Sequence, residues 1–288
     1  MSASRCYAGV DLGSVTCNAA VVDQSGQVLG AHTIVAGARG RAAAEQALRS
    51  VLADLGLGAD DLAGLVATGY GRARVADHTA AVTEITCHAR GVAQLFPAAR
   101  TVLDVGGQDF KAIRVDGGGR VLDFGMNDKC AAGTGRFFEA MARVLEVDLD
   151  DLGTLARQAT RDLSLNHVCT VFAESEVVGM IARGEEVADI AAALCRSAAQ
   201  RVALLAKGIG VIEPVVLTGG VARNEGFFSA LNGQLGLSCL VPEDPQITGA
   251  LGAALLACER GASASGAGRF ARAGEPRERI ALAEAAGD

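Results

Sequence analysis

Two stretches of this chain follow one plan, and that duplication limits the folds open to it more than any other feature. Residues 6–12 (Cys-Tyr-Ala-Gly-Val-Asp-Leu) read as a buried strand that breaks at Gly13-Ser14-Val15-Thr16. Asn18 to Asp23 reads as a second strand, Gln24-Ser25-Gly26 as a turn, and Gln27 to Val35 as a third strand. The plan restarts with a strand at Thr101–Val105 and the loop Gly106-Gly107-Gln108-Asp109. It continues with a strand at Phe110–Val115, the turn Asp116-Gly117-Gly118-Gly119 and a strand at Arg120–Phe124. Asp11 and Asp104 mark equivalent points about ninety residues apart, and such an internal repeat predicts two similar α/β lobes with a ligand between them. The expected division is an N-terminal lobe over 1–100, a C-terminal lobe over 101–260 and a disordered tail or weak helix over 261–288.

Between the two copies, residues 41–55 carry apolar positions at helical spacing and stop at Gly56. Asp61 to Thr68 reads as a strand closed by Gly69-Tyr70-Gly71-Arg72, and Thr83 to Phe96 as a helix ended by Pro97. After the second copy the chain is mainly helical, over 133–147, 150–159, 172–183 and 186–208. A strand at Pro214–Leu217 leads into Thr218-Gly219-Gly220-Val221, then a helix from Asn224 to Leu235 and a short strand at Ser238–Val241. Ile247 to Cys258 reads as an apolar helix whose small residues suit tight packing.

With 288 residues and half of them hydrophobic, the chain can bury a large core, and the absence of Trp makes that core aliphatic. The net charge of −7, with both signs interspersed, gives no nucleic-acid footprint. No long uncharged apolar run suggests a membrane span, and no signal-peptide apolar region opens the chain. The expectation is a cytoplasmic protein whose 8 cysteines stay reduced. No two are spaced as C-x-x-C, so the common zinc and ferredoxin patterns fail. A cysteine in such a chain is more often a small buried hydrophobe than a ligand.

Three glycine loops suggest phosphate binding. In Asp11-Leu12-Gly13-Ser14-Val15-Thr16 the glycine lets backbone N–H groups face an anion, and the Ser14 and Thr16 hydroxyls can donate to phosphate oxygens. Asp104-Val105-Gly106-Gly107-Gln108-Asp109 can do the same from the opposite lobe. The two carboxylates suit Mg²⁺, which keeps several waters and takes few protein ligands. Gly219, Gly220 and Val221 follow a strand, where a purine or ribose can lie against bare backbone. Each loop alone is as consistent with a tight turn, but their order within a duplicated meander is far more specific. Neither the P-loop pattern nor the dinucleotide fingerprint is present.

Asn127-Asp128-Lys129-Cys130-Ala131-Ala132-Gly133-Thr134-Gly135-Arg136-Phe137 places one thiol on a small-residue turn before a helix. A helix N-terminus favours thiolate, and the turn around Gly133, Thr134 and Gly135 can offer amides to an anion. Nucleophile, metal ligand and packing residue all remain open for Cys130 on these grounds.

The duplicated meander with its phosphate loops and late Gly-Gly loop resembles the actin, hexokinase and heat-shock chaperone ATPase superfamily, with a duplicated ribonuclease-H-like fold and a nucleotide cleft between two lobes. Within it, the chain is similar to the ATPase activators of 2-hydroxyacyl-CoA dehydratases and the related ATPase subunits of benzoyl-CoA reductase. The resembling segments are Gly9–Ser14, Ala67–Arg72, Glu84–Ala89, Asp104–Asp109, Asn127–Phe137, Cys169–Val177, Thr218–Asn224 and Gly249–Ala254, within about residues 7–258. The resemblance implies a homodimer with one 4Fe-4S cluster between the subunits, each supplying two cysteines at the positions of Cys130 and Cys169. It implies ATP and Mg²⁺ in the cleft, with Asp11 and Asp104 positioning metal and water, and Gln108 and Asp109 as second choices for orienting the attacking water. It also implies nucleotide contacts from the segment that ends at Asn224. The implied activity is ATP-driven injection of one electron into a dehydratase or reductase, with a ferredoxin or flavodoxin as donor. Lowering an electron's potential takes about 2.3 kcal/mol per 100 mV, which is on the scale of nucleotide binding and hydrolysis.

Other assignments in these segments stay open. Lys129 and Arg136 could screen the cluster, face a partner or simply be solvated, and Glu174 and Glu176 have no derivable role. His167, two residues before Cys169, reads as a loop residue. A small-molecule kinase of the same superfamily, or an actin-like ATP switch without chemistry of its own, would use the same loops and leave both cysteines as packing.

Overall fold

The computed structural model describes residues 5–37, 40–127, 133–165 and 170–265. The first meander forms β1 (Cys6–Leu12), β2 (Thr16–Val22) and β3 (Val28–Val35), followed by helix α1 (Gly40–Asp54). Strand β4 (Leu62–Thr68) then adds parallel to β1, and a two-residue strand β5 (Ala80–Ala81) extends the sheet to the order β3-β2-β1-β4-β5. Helix α2 (Glu84–Leu95) leads to the second copy, β6 (Thr101–Val105), β7 (Phe110–Val115) and β8 (Val121–Met126). After helices α3 (Gly135–Val144), α4 (Leu152–Ala156), α5 (Thr170–Ala182) and α6 (Val187–Ile209), strand β9 (Val215–Thr218) pairs parallel with β6. The second sheet has the order β8-β7-β6-β9, the first plan again without its edge strand. Helices α7 (Glu225–Leu235) and α8 (Thr248–Ser265) complete the described chain.

Alternation along β1 explains the layering. Cys6, Ala8, Val10 and Leu12 share one apolar cluster with Ala43, Ala44, Ala47 and Val51 of α1. Tyr7, on the opposite face, joins Leu251, Ala254 and Leu255 of α8. Side chains alternate faces along a strand, so Asp11 falls on the α8 side. In the second sheet Leu103 and Val105 pack toward α3 and α6, whereas Val102 and Ile113 pack with Ala89 and Val92 of α2. Asp104 therefore falls on the α2 side. Helices α2 and α8 pack against each other, so the order through the molecule is α1, first sheet, α8 with α2, second sheet, then α3 and α6. Both carboxylates project into the middle layer, at the C-terminal ends of their strands.

Three elements differ from the sequence-based expectation. Residues 238–241 form no strand but only a single parallel bridge, Leu240 with Val216. The helix expected over 150–159 shortens to α4. Helix α8 runs on to Ser265, because Gly261 lies against the Tyr7 ring of β1 and gives the helix end a docking surface. Residues 266–288, most of the expected tail, lie outside the described residues.

Candidate functional site

The two aspartates sit in matching surroundings. Asp11 pairs in register with Thr68 of β4, and Asp104 with Thr218 of β9. Each threonine is followed by a glycine of positive φ, +85° at Gly69 and +86° at Gly219, a conformation that favours glycine. A Cβ on Gly69 would lie 2.3 Å from Asp11 Oδ1, and one on Gly219 would lie 2.8 Å from Asp104 Oδ1. Each Thr-Gly turn thus lays bare backbone against a carboxylate, and it is the Thr-Gly after an apolar strand, present twice, that marks these turns in the sequence.

The hairpin loops match as well. Gly13 N–H donates to Thr16 O at 3.0 Å, and Gly106 N–H to Asp109 O at 2.9 Å. The loops face each other: a Cβ on Gly107 would lie 2.2 Å from Val15 Cγ2 and 3.3 Å from Ser14 Oγ. Ser14 and Thr16 are half-buried, while Gln108 is exposed. Gly135 and Arg136, at the start of α3, donate their N–H groups to Gly106 O (2.9 Å) and Gly107 O (2.8 Å). The Gly135 amide, expected to face an anion, is therefore committed to the Gly106 carbonyl instead, and Gly133 (φ +91°) and buried Thr134 lie just ahead of it.

A charge network connects the two aspartates. Lys111, only 2% exposed, places its Nζ 2.8 Å from Asp109 Oδ1 and 3.3 Å from both Asp104 Oδ2 and Glu84 Oε1. His88, one helical turn after Glu84 on α2, has Nε2 3.6 Å from Asp104 Oδ2 and 4.0 Å from Asp11 Oδ2. Its Nδ1 lies 3.3 Å from Thr218 Oγ1. Burial pushes the Asp11 carboxyl up to about 6, against the pull of His88. Burial acts on Asp104 in the same sense, but His88 and Lys111 outweigh it and hold that carboxyl below its ordinary value. Lys111 is disfavoured as a cation by burial, yet Asp104, Glu84 and Asp109 raise it well above an ordinary lysine. Sequence reasoning missed Lys111, His88 and Glu84 as site residues.

The raised Asp11 has a stability consequence. Asp11→Asn is expected to stabilise the ligand-free protein by about 1–3 kcal/mol at pH 7, at about 1.4 kcal/mol per pKa unit. Below about pH 4 the carboxyl is protonated both folded and unfolded, so the gain vanishes. Between about 4 and 6 the unfolded chain ionises first, so wild-type stability falls relative to the variant as pH rises. Urea unfolding of both proteins from pH 3.5 to 7 measures this, and equal midpoints at pH 7 would contradict it.

The third loop is mixed. Gly219 N–H donates to Pro245 O (2.9 Å), and a Cβ on Gly220 would lie 3.1 Å from Gln246 Nε2, so this backbone is also closely approached. Val221 is buried. The Asn224 side chain caps α7, accepting from Phe227 N–H at 2.8 Å, and Cys195 Sγ donates to it at 3.6 Å. Arg136 forms an ion pair with Glu139 at 2.7 Å.

Asp128, Lys129, Cys130, His167 and Cys169 lie outside the described residues. Burial pushes the thiols of Cys17, Cys87, Cys195 and Cys239 up to about 12, which makes them packing residues and poor thiolate donors. Among the described residues no group of three or more potential metal ligands occurs. Helix α5 begins at the residue after Cys169.

Residues 8–257 match the BadF/BadG/BcrA/BcrD ATPase family. The chain is 42% identical over 249 residues to the 2-hydroxyisocaproyl-CoA dehydratase activator of Clostridioides difficile, covering 86% of this chain and 93% of that one. It is 44% identical over 251 residues to the activator of lactoyl-CoA dehydratase of Anaerotignum propionicum, covering 87% and 96%. The solved structure of the 2-hydroxyisocaproyl-CoA dehydratase activator from Clostridium difficile with bound ADPNP superposes with a TM-score of 0.87 at 39% identity, over 93% of this chain and 100% of that one.

Proposed function

This chain belongs to the BadF/BadG/BcrA/BcrD ATPase family, and from that membership we propose that it is the ATP-hydrolysing activator of a 2-hydroxyacyl-CoA dehydratase. MgATP occupies the cleft, and hydrolysis transfers its γ-phosphoryl group to water. Asp11 and Asp104 hold the magnesium through its water shell, as suits an ion bound by few carboxylates and by substrate phosphates. The Gly107 amide and the hydroxyls of Ser14 and Thr16 hold phosphate oxygens, while the N–H groups of Gly13 and Gly106 close their own turns. Gln108, exposed at the loop, orients the attacking water, while Asp109 is committed to Lys111. The bare backbone at Gly219, Gly220 and Val221 accommodates the nucleoside, with Asn224 fixing the helix behind it.

Cys130 and Cys169 of each of two protomers would hold one 4Fe-4S cluster on the dimer axis, giving the four thiolates that a cubane requires. Such a cluster supplies a low-potential electron, taken from a ferredoxin or flavodoxin in the cytoplasm and passed to the dehydratase. The observation that carries this reading is the pair of hydrogen bonds from Gly135 and Arg136 to Gly106 and Gly107, which join the phosphate loop to the helix just after Cys130.

Cys130→Ser and Cys169→Ser, purified without oxygen, are each expected to lose nearly all of the roughly four irons per dimer. A variant that keeps full iron would overturn the ligand assignment. A colourless wild-type monomer with full ATP turnover would favour a kinase-like or switch-like protein instead.

A further inference from the structure

The two Thr-Gly turns are equivalent in position but not in bonding. Thr218 Oγ1 donates to Asp104 Oδ1 at 3.4 Å and lies 3.3 Å from His88 Nδ1. Thr68 holds the matching register beside Asp11 and is just as fully buried. Val66, two residues earlier on β4, packs with Cys87 and Leu251, so Thr68 faces the middle layer as Asp11 does. Yet Thr68 Oγ1 forms no hydrogen bond among the described residues, although the Cys87 thiol of α2 lies near enough to feel it. Consecutive residues of α2 thus meet the two threonines, His88 at Thr218 and Cys87 at Thr68. Burial pushes the Cys87 thiol up to about 12 and the Thr68 hydroxyl pulls it back only in part, so Thr68 faces a neutral thiol that bonds weakly. A buried hydroxyl without a partner costs free energy, and valine would fill the same space without that cost.

We propose that Thr68 is a positioning residue whose hydroxyl donates to the Asp11 carboxylate when MgATP is bound, making in the first lobe the bond that Thr218 makes to Asp104 in the second. The inference rests on the nucleotide reading given above. Paired strands lie about 5 Å apart, so side-chain rotation is enough to join two residues in register on one face. Asp11 also needs a donor. Among the described residues its ion-pair partner, His88 Nε2, stands 4.0 Å away, beyond hydrogen-bond reach. A hydroxyl bound to one carboxylate oxygen fixes the rotation of the group and leaves the other oxygen for the water shell of the ion.

The test is calorimetric titration of the full-length protein with ADPNP, in magnesium and in EDTA, alongside hydrolysis rates and thermal unfolding without nucleotide. Thr68→Val should raise the Kd for MgADPNP about tenfold, as loss of a hydrogen bond to a metal-binding carboxylate does, and leave the Kd in EDTA within about twofold. The kcat/KM for MgATP should fall by about tenfold or more. Without nucleotide the variant should melt at or above the wild-type midpoint, because no bond is lost. Thr68→Ser, which keeps the hydroxyl, should restore the wild-type dependence on magnesium. The proposal is overturned if Thr68→Val gains as much affinity from magnesium as the wild type, or if it loses affinity equally in EDTA. It is also overturned if the variant melts below wild type, or if serine fails to restore magnesium dependence. A wild type that binds ADPNP no better in magnesium than in EDTA overturns instead the magnesium reading at Asp11 and Asp104.

Discussion

Replacing Lys111 with methionine is expected to eliminate ATP hydrolysis and to weaken the fold by about 3–5 kcal/mol, the usual penalty for removing one partner of a buried ion pair. The ammonium is 2% exposed and meets Asp109, Asp104 and Glu84 within 3.3 Å, so its loss strands carboxylates that solvent cannot reach well. Asp104 is held below its ordinary value by His88 and Lys111, and without the lysine its carboxyl must rise. The magnesium site proposed at Asp11 and Asp104 would then lose charge as well as geometry. The pH dependence has a definite sign. A depressed Asp104 contributes stability above the ordinary carboxylate range, and a raised Lys111 contributes it below the ordinary lysine value. The deficit of the variant should therefore be full between about pH 5 and 10 and shrink below about pH 4, as the carboxylates protonate in both states. Urea midpoints at pH 7 and 3.5, with hydrolysis rates at pH 7, measure it. A variant within about 1 kcal/mol of wild type that still hydrolyses ATP would remove Lys111 from the mechanism.

The contrast between Asp104 and Lys111 shows how much of this site a sequence can reveal. Asp11 and Asp104 were legible because each precedes a glycine loop at the end of an apolar run, and the run occurs twice. Lys111 sits in Phe110-Lys111-Ala112-Ile113, where alternation makes a lone lysine look like the solvated side of a strand. Only the covering of both sheet faces buries it, and nothing local encodes that. His88 is hidden in the same way, as one of several polar residues along α2, among which only it is buried. The meanders and most helices followed from local periodicity, whereas Ser238–Val241 has strand-like residues but only one bridging partner. The resemblance implies a nucleotide contact at Asn224, yet its side chain satisfies the amide of Phe227 as a helix cap. The small residues of α8 signal tight packing, and the glycine contacts of this helix with β1 and α2 show how tight.

Gly252→Ala is expected to prevent stable folding or to cost more than about 3 kcal/mol, as overpacking does where the surroundings cannot yield. The added Cβ would lie 1.7 Å from Cys87 O and 2.9 Å from Gly91 N, both backbone atoms of α2. Helix α8 cannot retreat. On its other side a Cβ on Gly9 of β1 would already stand 2.1 Å from Ala250 O and 2.3 Å from Ala254 N. Relief therefore requires α2 and α8 to part, and these helices form the layer between the two sheets. The first turn of α8 also touches the site, since a Cβ on Gly249 would meet Asp11 Oδ2 at 2.3 Å and His88 Nε2 at 2.9 Å. Any folded fraction of the variant should consequently lose hydrolysis as well. Gly233 in α7 supplies the control, because a Cβ there meets nothing within 4 Å. Gly233→Ala should be neutral or stabilising by up to about 1 kcal/mol, the helix preference for alanine over glycine. Thermal and urea unfolding of the two variants decide the matter. Similar midpoints for both would mean that the α2–α8 crossing is looser than its backbone distances require, and that the two lobes are not held in register through it.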